Sequence, residues 1–458
     1  MIPAKSILLL SCRSPFLDDS KVYCPLANLY LKSYLNAYLP EIEVVIGDDE
    51  YDICDLSAME PYDAIGISIM TPQRHEAKTL ANVIKQRWPN KTLIAGGPHV
   101  KHYCNEMEQD SSFDYLVPLD GERALARILT GRATERVVAD TLTRDEVLSQ
   151  PRPDRTSATA IKSIKQYHYY LGEREATTMI TARGCPERCT FCEDALTNVR
   201  WSSLESIKMQ LLDIKRLGYR GVYIFDDLFA ISLSKIRPIC EELHKLDLMY
   251  RCNAQARYFT KWGENMAQLL SDTGCYEIAF GAESGSQQIL DNIQKRCSVQ
   301  QNYQTVEYAK KHGIIVKAFI LIGLPGETWK TLAETEKFIK NSGCDDFQCA
   351  VYMPFKGTQI RAAIDNGNKI DLKIVPKGSD GEVTGAYGIK EGNSSYEVRT
   401  SELSCEDLEA FREHLIMKYK PESHKTKWKY QDRFFDIAHI TTSNGQYLPD
   451  YQPLTAQW

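Results

Sequence analysis

Arg183-Gly184-Cys185-Pro186-Glu187-Arg188-Cys189-Thr190-Phe191-Cys192 places three thiols within eight residues, and the loop holds no fourth cysteine. Three thiolates can wrap one corner of an iron–sulfur cube, leaving one iron without a protein ligand. An iron with an open position can bind and activate a small molecule, whereas a fully ligated cluster mostly carries electrons. A structural zinc loop normally needs four ligands and often pairs two Cys-x-x-Cys units. Only one such unit is present here, with Glu193 and Asp194 as the nearest hard ligands.

Working outward, a β-rich run at 177–181 leads straight into this loop. Further strand patterns follow at 222–225, 251–254, 277–280, 316–322 and 347–351. Helical periodicity separates them at 204–217, 236–246, 264–272, 287–293, 302–312 and 332–340. Six βα repeats predict a partial barrel, whose functional residues collect at the carboxyl ends of the strands. The amino-terminal part alternates in the same way, with strands at 6–10, 42–46, 64–69, 92–95 and 115–117 and helices at 27–38, 75–88 and 122–129. Strands joined by helix-length connections predict a parallel, doubly wound sheet. The chain therefore divides into an α/β sheet domain over 1–135, a polar linker over 136–175 broken by Pro151 and Pro153, and the partial barrel over 176–360. A small, mostly helical and substrate-proximal region covers 361–458, with a Gly- and Ser-rich loop at 376–395 and a helix at 403–419.

Composition narrows the classes. The chain has 458 residues, 43% hydrophobic and 25% charged, and its net charge of −6 comes from 55 basic and 61 acidic residues. That balance is no electrostatic footprint for nucleic acid. Lys420, Lys425 and Lys427 beside Tyr419 and Trp428 read as a solvated tail. No apolar run reaches membrane-spanning length, and the run after Met1 is too short for a signal peptide. Fourteen cysteines without a secretion signal predict a reducing, cytoplasmic setting.

The triad spacing, with an aromatic just before the last cysteine, resembles the signature of the radical S-adenosylmethionine (SAM) superfamily. The resemblance implies a 4Fe–4S cluster on Cys185, Cys189 and Cys192 whose open iron is chelated by SAM. One-electron cleavage would then yield a 5′-deoxyadenosyl radical, with the electron coming from a flavodoxin- or ferredoxin-type donor. Phe191 would contact adenine. Asp226 and Asp227, ending the second barrel strand, would accept from the SAM ammonium. Glu283, in Gly281-Ala282-Glu283-Ser284-Gly285 after the fourth, would accept from the ribose diol. Gly323-Leu324-Pro325-Gly326-Glu327 after the fifth resembles the segment packed on adenine, giving Gly323 and Glu327. Pro354-Phe355-Lys356-Gly357-Thr358 resembles a Pro-x-x-Gly-Thr turn of the group, with no role assigned to Lys356. Taken singly, these residues also read as helix caps and strand-to-helix turns.

Three turns of the first sheet, at 65–71, 95–99 and 120–122, resemble the cobalamin-binding domain fused ahead of many radical SAM enzymes. The resemblance carries Ser68, Gly96, Gly97 and Glu122 over as cobalamin contacts. The Asp-x-His-x-x-Gly motif that supplies a lower cobalt ligand is absent, the first loop reading Ser11-Cys12-Arg13-Ser14-Pro15-Phe16. Neither His75 nor His99 is assigned as axial. A sheet that only buttresses the barrel remains the alternative, because fold does not fix ligand.

The resemblance implies a cobalamin-dependent radical SAM methyltransferase acting on an unactivated carbon, or on phosphinate phosphorus, of a small molecule or peptide. Ring contraction, cyclisation or another rearrangement without methyl transfer is the alternative. A methylthiotransferase would need a second cysteine triad, which Cys12, Cys24, Cys54 and Cys104 do not form. A cobalamin- or metal-binding regulatory module would need no SAM site.

Overall fold

The computed structural model describes residues 3–12, 21–47, 56–109, 112–376 and 396–420. Arg13 to Phe16, Cys54, the loop after Pro376 and the lysines at 425 and 427 lie outside these residues.

The first unit runs β1 (Ser6–Ser11), α1 (Leu26–Tyr38), β2 (Glu43–Ile46), β3 (Ala64–Ser68), α2 (Arg74–Arg87), β4 (Thr92–Gly96), α3 (Pro98–Glu108), β5 (Tyr115–Val117) and α4 (Gly121–Leu129). The five strands are all parallel in the order β2-β1-β3-β4-β5. Strand alternation sends Leu8, Leu10, Ile65, Ile67 and Leu93 against Leu80 and Ile84 of α2 and Val100 of α3. It sends Ile7, Leu9, Ile94 and Val117 against Leu35 of α1 and Leu125 and Ile128 of α4. The sheet is thus doubly wound, as the alternation predicts.

The segment read as a linker is more ordered than its polarity suggests. Thr143 and Ser157 cap two short helices, α5 (Arg144–Ser149) and α6 (Ala158–Ile164), on either side of the two prolines. β6 (Tyr169–Leu171) then pairs antiparallel with β7 (Arg174–Met179) and extends the second sheet to seven strands.

The chain continues through β8 (Ala182–Arg183), β9 (Arg200–Trp201), α7 (Leu204–Arg216), β10 (Gly221–Ile224), α8 (Leu233–Lys245), β11 (Met249–Ala254), α9 (Ala256–Trp262), α10 (Glu264–Asp272), β12 (Cys275–Glu283), α11 (Gln287–Asn292), α12 (Val299–Lys311), β13 (Ile315–Ile322), α13 (Trp329–Ser342) and β14 (Asp346–Val351). Six strands are parallel in the order β14-β13-β12-β11-β10-β7, a curled, open half-barrel with β8 and β9 forming a separate two-stranded pair. Val222, Ile224, Cys252, Val316, Ala318 and Ile320 point outward into the helical layer. Ser203, Ser298 and Thr328 each start a helix there by accepting a backbone N–H three residues on.

The last described part is not only helical. α14 (Gln359–Asp365) is followed by an antiparallel pair, β15 (Lys373–Pro376) with β16 (Tyr396–Arg399), before α15 (Cys405–Tyr419). The two units share core packing: Cys24, Leu29 and Ile46 of the first lie in the hydrophobic cluster of the second. Among the described residues no helix is long and apolar enough to cross a membrane.

Candidate functional site

The cysteine loop is pinched shut by its own flanks. β8 pairs with β9 in the register Ala182↔Trp201 and Arg183↔Arg200. Gly184 has φ +93°, and a Cβ there would sit 2.6 Å from the Asn198 carbonyl oxygen, so the turn admits only glycine. Inside the loop, the Thr197 hydroxyl accepts from Cys185 N (2.8 Å) and donates to the Asp194 carbonyl (2.7 Å), while Cys192 N donates to the Cys189 carbonyl (3.0 Å). Buried Glu187 anchors the loop to the barrel by accepting from Tyr258 OH at 2.6 Å.

The donor set fits a cluster. Burial pushes the Cys185 thiol up to about 11 and Cys192 up to about 12, and raises Cys189 as well. Without iron these thiols stay protonated at neutral pH, so ligation must expel their protons. Among the described residues no three His, Cys, Asp or Glu side chains converge on one ion. A cube needs no such convergence, because each thiolate takes its own iron.

The expected SAM residues divide. Asp226 is 1% exposed and turned into the fold, where Thr181 N (2.6 Å) and the Thr181 hydroxyl both donate to its carboxyl. It buttresses the start of the loop, its two carboxyl oxygens engaged by Thr181. Asp227 is the carboxylate on the loop side, accepting from Gly184 N at 3.0 Å. Glu283 sits at φ +59° beside a register shift in β12 and is ion-paired with Lys295 at 2.7 Å. A Cβ on Gly281 would lie 2.1 Å from Glu283 Oε1 and 2.6 Å from Lys295 Nζ, so that glycine clears the pair. Lys295 Nζ lies 5.7 Å from the Phe191 ring centroid, which places this buried pair against the cysteine loop.

Gly323 and Glu327 are placed otherwise. Gly323 has φ +76°, and a Cβ there would meet Leu408 of α15 at 2.9 Å, so the C-terminal helix covers this turn. Glu327 is fully buried, accepts from Thr331 Oγ1 (2.6 Å) and Gly323 N (3.2 Å), and is held up at about 7 by burial. Its carboxyl holds the turn together through these two hydrogen bonds.

On the first unit, a cleft of about 310 Å³ opens beyond the strand ends and is lined by Gly66, Ser68, Gly96, Gly97, Gly121 and Glu122, with Arg183 of the barrel closing it. Gly97 has φ +95°, and a Cβ would lie 2.8 Å from the Ile69 N and O atoms. At Gly96 a Cβ would meet only the Val117 carbonyl, at 3.7 Å, so the absent side chain is what keeps this wall open. Such a glycine-walled slot fits the slender tail of a corrinoid. Glu122 lines the cleft, but its carboxylate is taken by Arg183 Nη2 at 2.6 Å. Arg183 Nη1 also reaches Asp120 at 3.1 Å.

Residues that the sequence left unassigned join the two sites. α3 starts at the cleft with Pro98 in its first turn, a signal that could have marked it. Farther along, Lys101 pairs with Asp194 at 2.8 Å and His102 Nε2 with Glu193 at 2.7 Å, so α3 grips the cysteine loop. Glu106 pairs with Lys356, and the Gly357 turn rests on the His102 ring. Lys295, Lys101 and His102 carry no motif and emerge only from the packing.

Comparison with known proteins agrees with this geometry. Residues 179–339 match the family model of the radical SAM superfamily, and residues 22–129 match the B12 binding domain. An uncharacterized methyltransferase of Pyrococcus horikoshii is 27% identical over 314 residues, covering 65% of this chain and 68% of that protein. The anaerobic magnesium-protoporphyrin IX monomethyl ester cyclase of Rubrivivax gelatinosus is 24% identical over 339 residues, 69% of this chain and 60% of its own length. The fold resembles that of TsrM, a radical SAM methyltransferase from Kitasatospora setae solved with cobalamin and a 4Fe–4S cluster, at a TM-score of 0.69 and 16% identity over 86% of this chain and 84% of that one. By these two domain matches the chain is a cobalamin-dependent radical SAM enzyme, a class that works with a 4Fe–4S cluster, SAM and cobalamin.

Proposed function

We propose that the enzyme is a methyltransferase acting on an unactivated carbon, or on phosphinate phosphorus, of a small molecule or peptide. When bound, the cluster with SAM supplies a 5′-deoxyadenosyl radical and the corrinoid supplies a methyl group. The observation that carries the reading is the clasp: α3 begins in the corrinoid cleft and holds the cysteine loop through Lys101–Asp194 and His102–Glu193. A fixed spacing between the two cofactors is what a reaction drawing on both requires.

The chain's own groups would divide the work. Cys185, Cys189 and Cys192 hold the cluster, and Asp227, beside Gly184, accepts from an ammonium. The buried Glu283–Lys295 pair offers an acceptor to a diol and a cation to a carboxylate, with Phe191 packed over it. Gly66, Ser68, Gly96 and Gly97 receive the corrinoid tail. A flavodoxin- or ferredoxin-type protein in the cytoplasm would deliver the electron. The names of the Pyrococcus relative and of TsrM support methyl transfer; the cyclase relative supports the second reading, ring closure or rearrangement.

One anaerobic experiment separates them. Protein reconstituted with iron, sulfide and cobalamin is given SAM, a reductant and a candidate metabolite, and products are weighed by mass spectrometry. Methyl transfer yields S-adenosylhomocysteine alongside 5′-deoxyadenosine and a methylated product. Turnover with 5′-deoxyadenosine alone defeats the methyltransferase reading, and failure to cleave SAM defeats both.

A further inference from the structure

The inner face of the half-barrel carries an aromatic platform that neither cofactor site uses. Tyr223 of β10 and Phe225 after it point away from the helical layer, into which Val222 and Ile224 pack. Their rings lie 4.6 Å apart. Tyr169 of β6 stacks on Tyr223 at 5.7 Å and 25°, and Tyr23 closes the group edge-on to Phe225 at 5.2 Å. Tyr23 comes from the segment before α1, so both units build the platform. Tyr23 is 46% exposed and Phe225 is 43% exposed, leaving two large ring surfaces uncovered beside the carboxyl end of β10. Phe225 directly precedes Asp226 and Asp227, and Asp227 binds Gly184 N one residue before the first cluster cysteine. The Phe225 ring, with Tyr23 against it, thus lies two residues from the carboxylate that holds the start of the cysteine loop.

Charge restricts what the platform takes. The Arg251 guanidinium already occupies a face of Tyr223 at 4.4 Å, its charge balanced by Glu277 at 2.9 Å, so that face is closed to a second cation. Asp227 on the adjacent turn offers an anion no positive partner. What remains attractive is the offset and edge-on packing of ring on ring. Resting on the function proposed above, we infer that Tyr23, Tyr169, Tyr223 and Phe225 form a substrate subsite for an uncharged, planar conjugated ring.

The test uses one ring with three charges. Indole, indole-3-acetate and tryptamine are titrated into the full chain loaded with cluster, SAM and cobalamin, and binding is read by saturation-transfer NMR and calorimetry. Indole should bind at least tenfold more tightly than either charged analogue. Tyr23→Ala and Phe225→Ala should each weaken it about tenfold, and Phe225→Tyr should keep it. Corrinoid absorption of the same samples verifies that each variant is folded and loaded. Absence of indole binding, equal binding by the alanine variants, or tightest binding of tryptamine overturns the subsite. SAM cleavage is scored separately on the wild type: its failure removes the proposed reaction, whereas the indole result decides the platform alone.

Discussion

Removing the Glu122 carboxylate should loosen the junction between the two cofactor sites. Arg183 is held from two sides, by Glu122 at 2.6 Å and Asp120 at 3.1 Å, and its guanidinium lies 5.4 Å over the Tyr30 ring. The Glu122 side chain is 3% exposed and that of Arg183 is 18% exposed, so water cannot replace the lost partner. Breaking a buried pair by removing one member typically costs about 3–5 kcal/mol, because the other charge is stranded. Here Asp120 remains, and the loss reduces to one hydrogen bond between charged groups, about 1.5–3 kcal/mol. Glu122→Ala should therefore destabilise the chain by about 2 kcal/mol, roughly 30-fold in the folding equilibrium. Urea unfolding of Glu122→Ala, Arg183→Met and the double variant gives the coupling directly. Because Arg183 lies two residues before Cys185 and lines the cleft proposed for the corrinoid, Arg183→Met should also lower iron and corrinoid content together. A coupling below about 0.5 kcal/mol, the range of exposed pairs, would refute the argument from burial.

Gly281→Ala puts a Cβ 2.1 Å from Glu283 Oε1 and should displace the Glu283–Lys295 pair, weakening SAM binding about tenfold or more in equilibrium dialysis; unchanged affinity would detach that pair from SAM. Gly97→Ala, at φ +95° and 2.8 Å from the Ile69 backbone, should lose corrinoid retention by absorption spectroscopy while keeping about four irons per chain. Burial holds the Asp226 carboxyl up to about 7 against an ordinary value of 3.8. Between those values the unfolded chain gives up its proton first, so the folded state binds more protons and loses stability as pH rises from about 4 to 7, by an amount of order 4 kcal/mol. Asp226→Asn should flatten that decline, and urea midpoints at pH 5 and pH 8 that fall as steeply as in the wild type would contradict it.

Much of the site was legible because its chemistry is local. The spacing of Cys185, Cys189 and Cys192 is a property of eight consecutive residues, and the φ of +95° at Gly97 is a local backbone demand for glycine. Neighbouring carboxylates were harder to sort. Asp226 and Asp227 are indistinguishable in sequence, yet strand alternation buries the first on Thr181 and leaves the second beside Gly184. The cover that α15, about 80 residues later, lays over the Gly323 turn is likewise invisible in the local sequence.

By itself, then, the sequence determined the two α/β units, the cysteine triad and the glycine turns, since periodicity and short spacing encode backbone geometry and ligand count. Tertiary structure alone decided which charges meet. Lys295 with Glu283, Arg183 with Glu122, and Lys101 and His102 with the cysteine loop join residues from 12 to 93 positions apart. No local pattern records such pairs, because a buried charge is placed by the fold that desolvates it and must find its partner there.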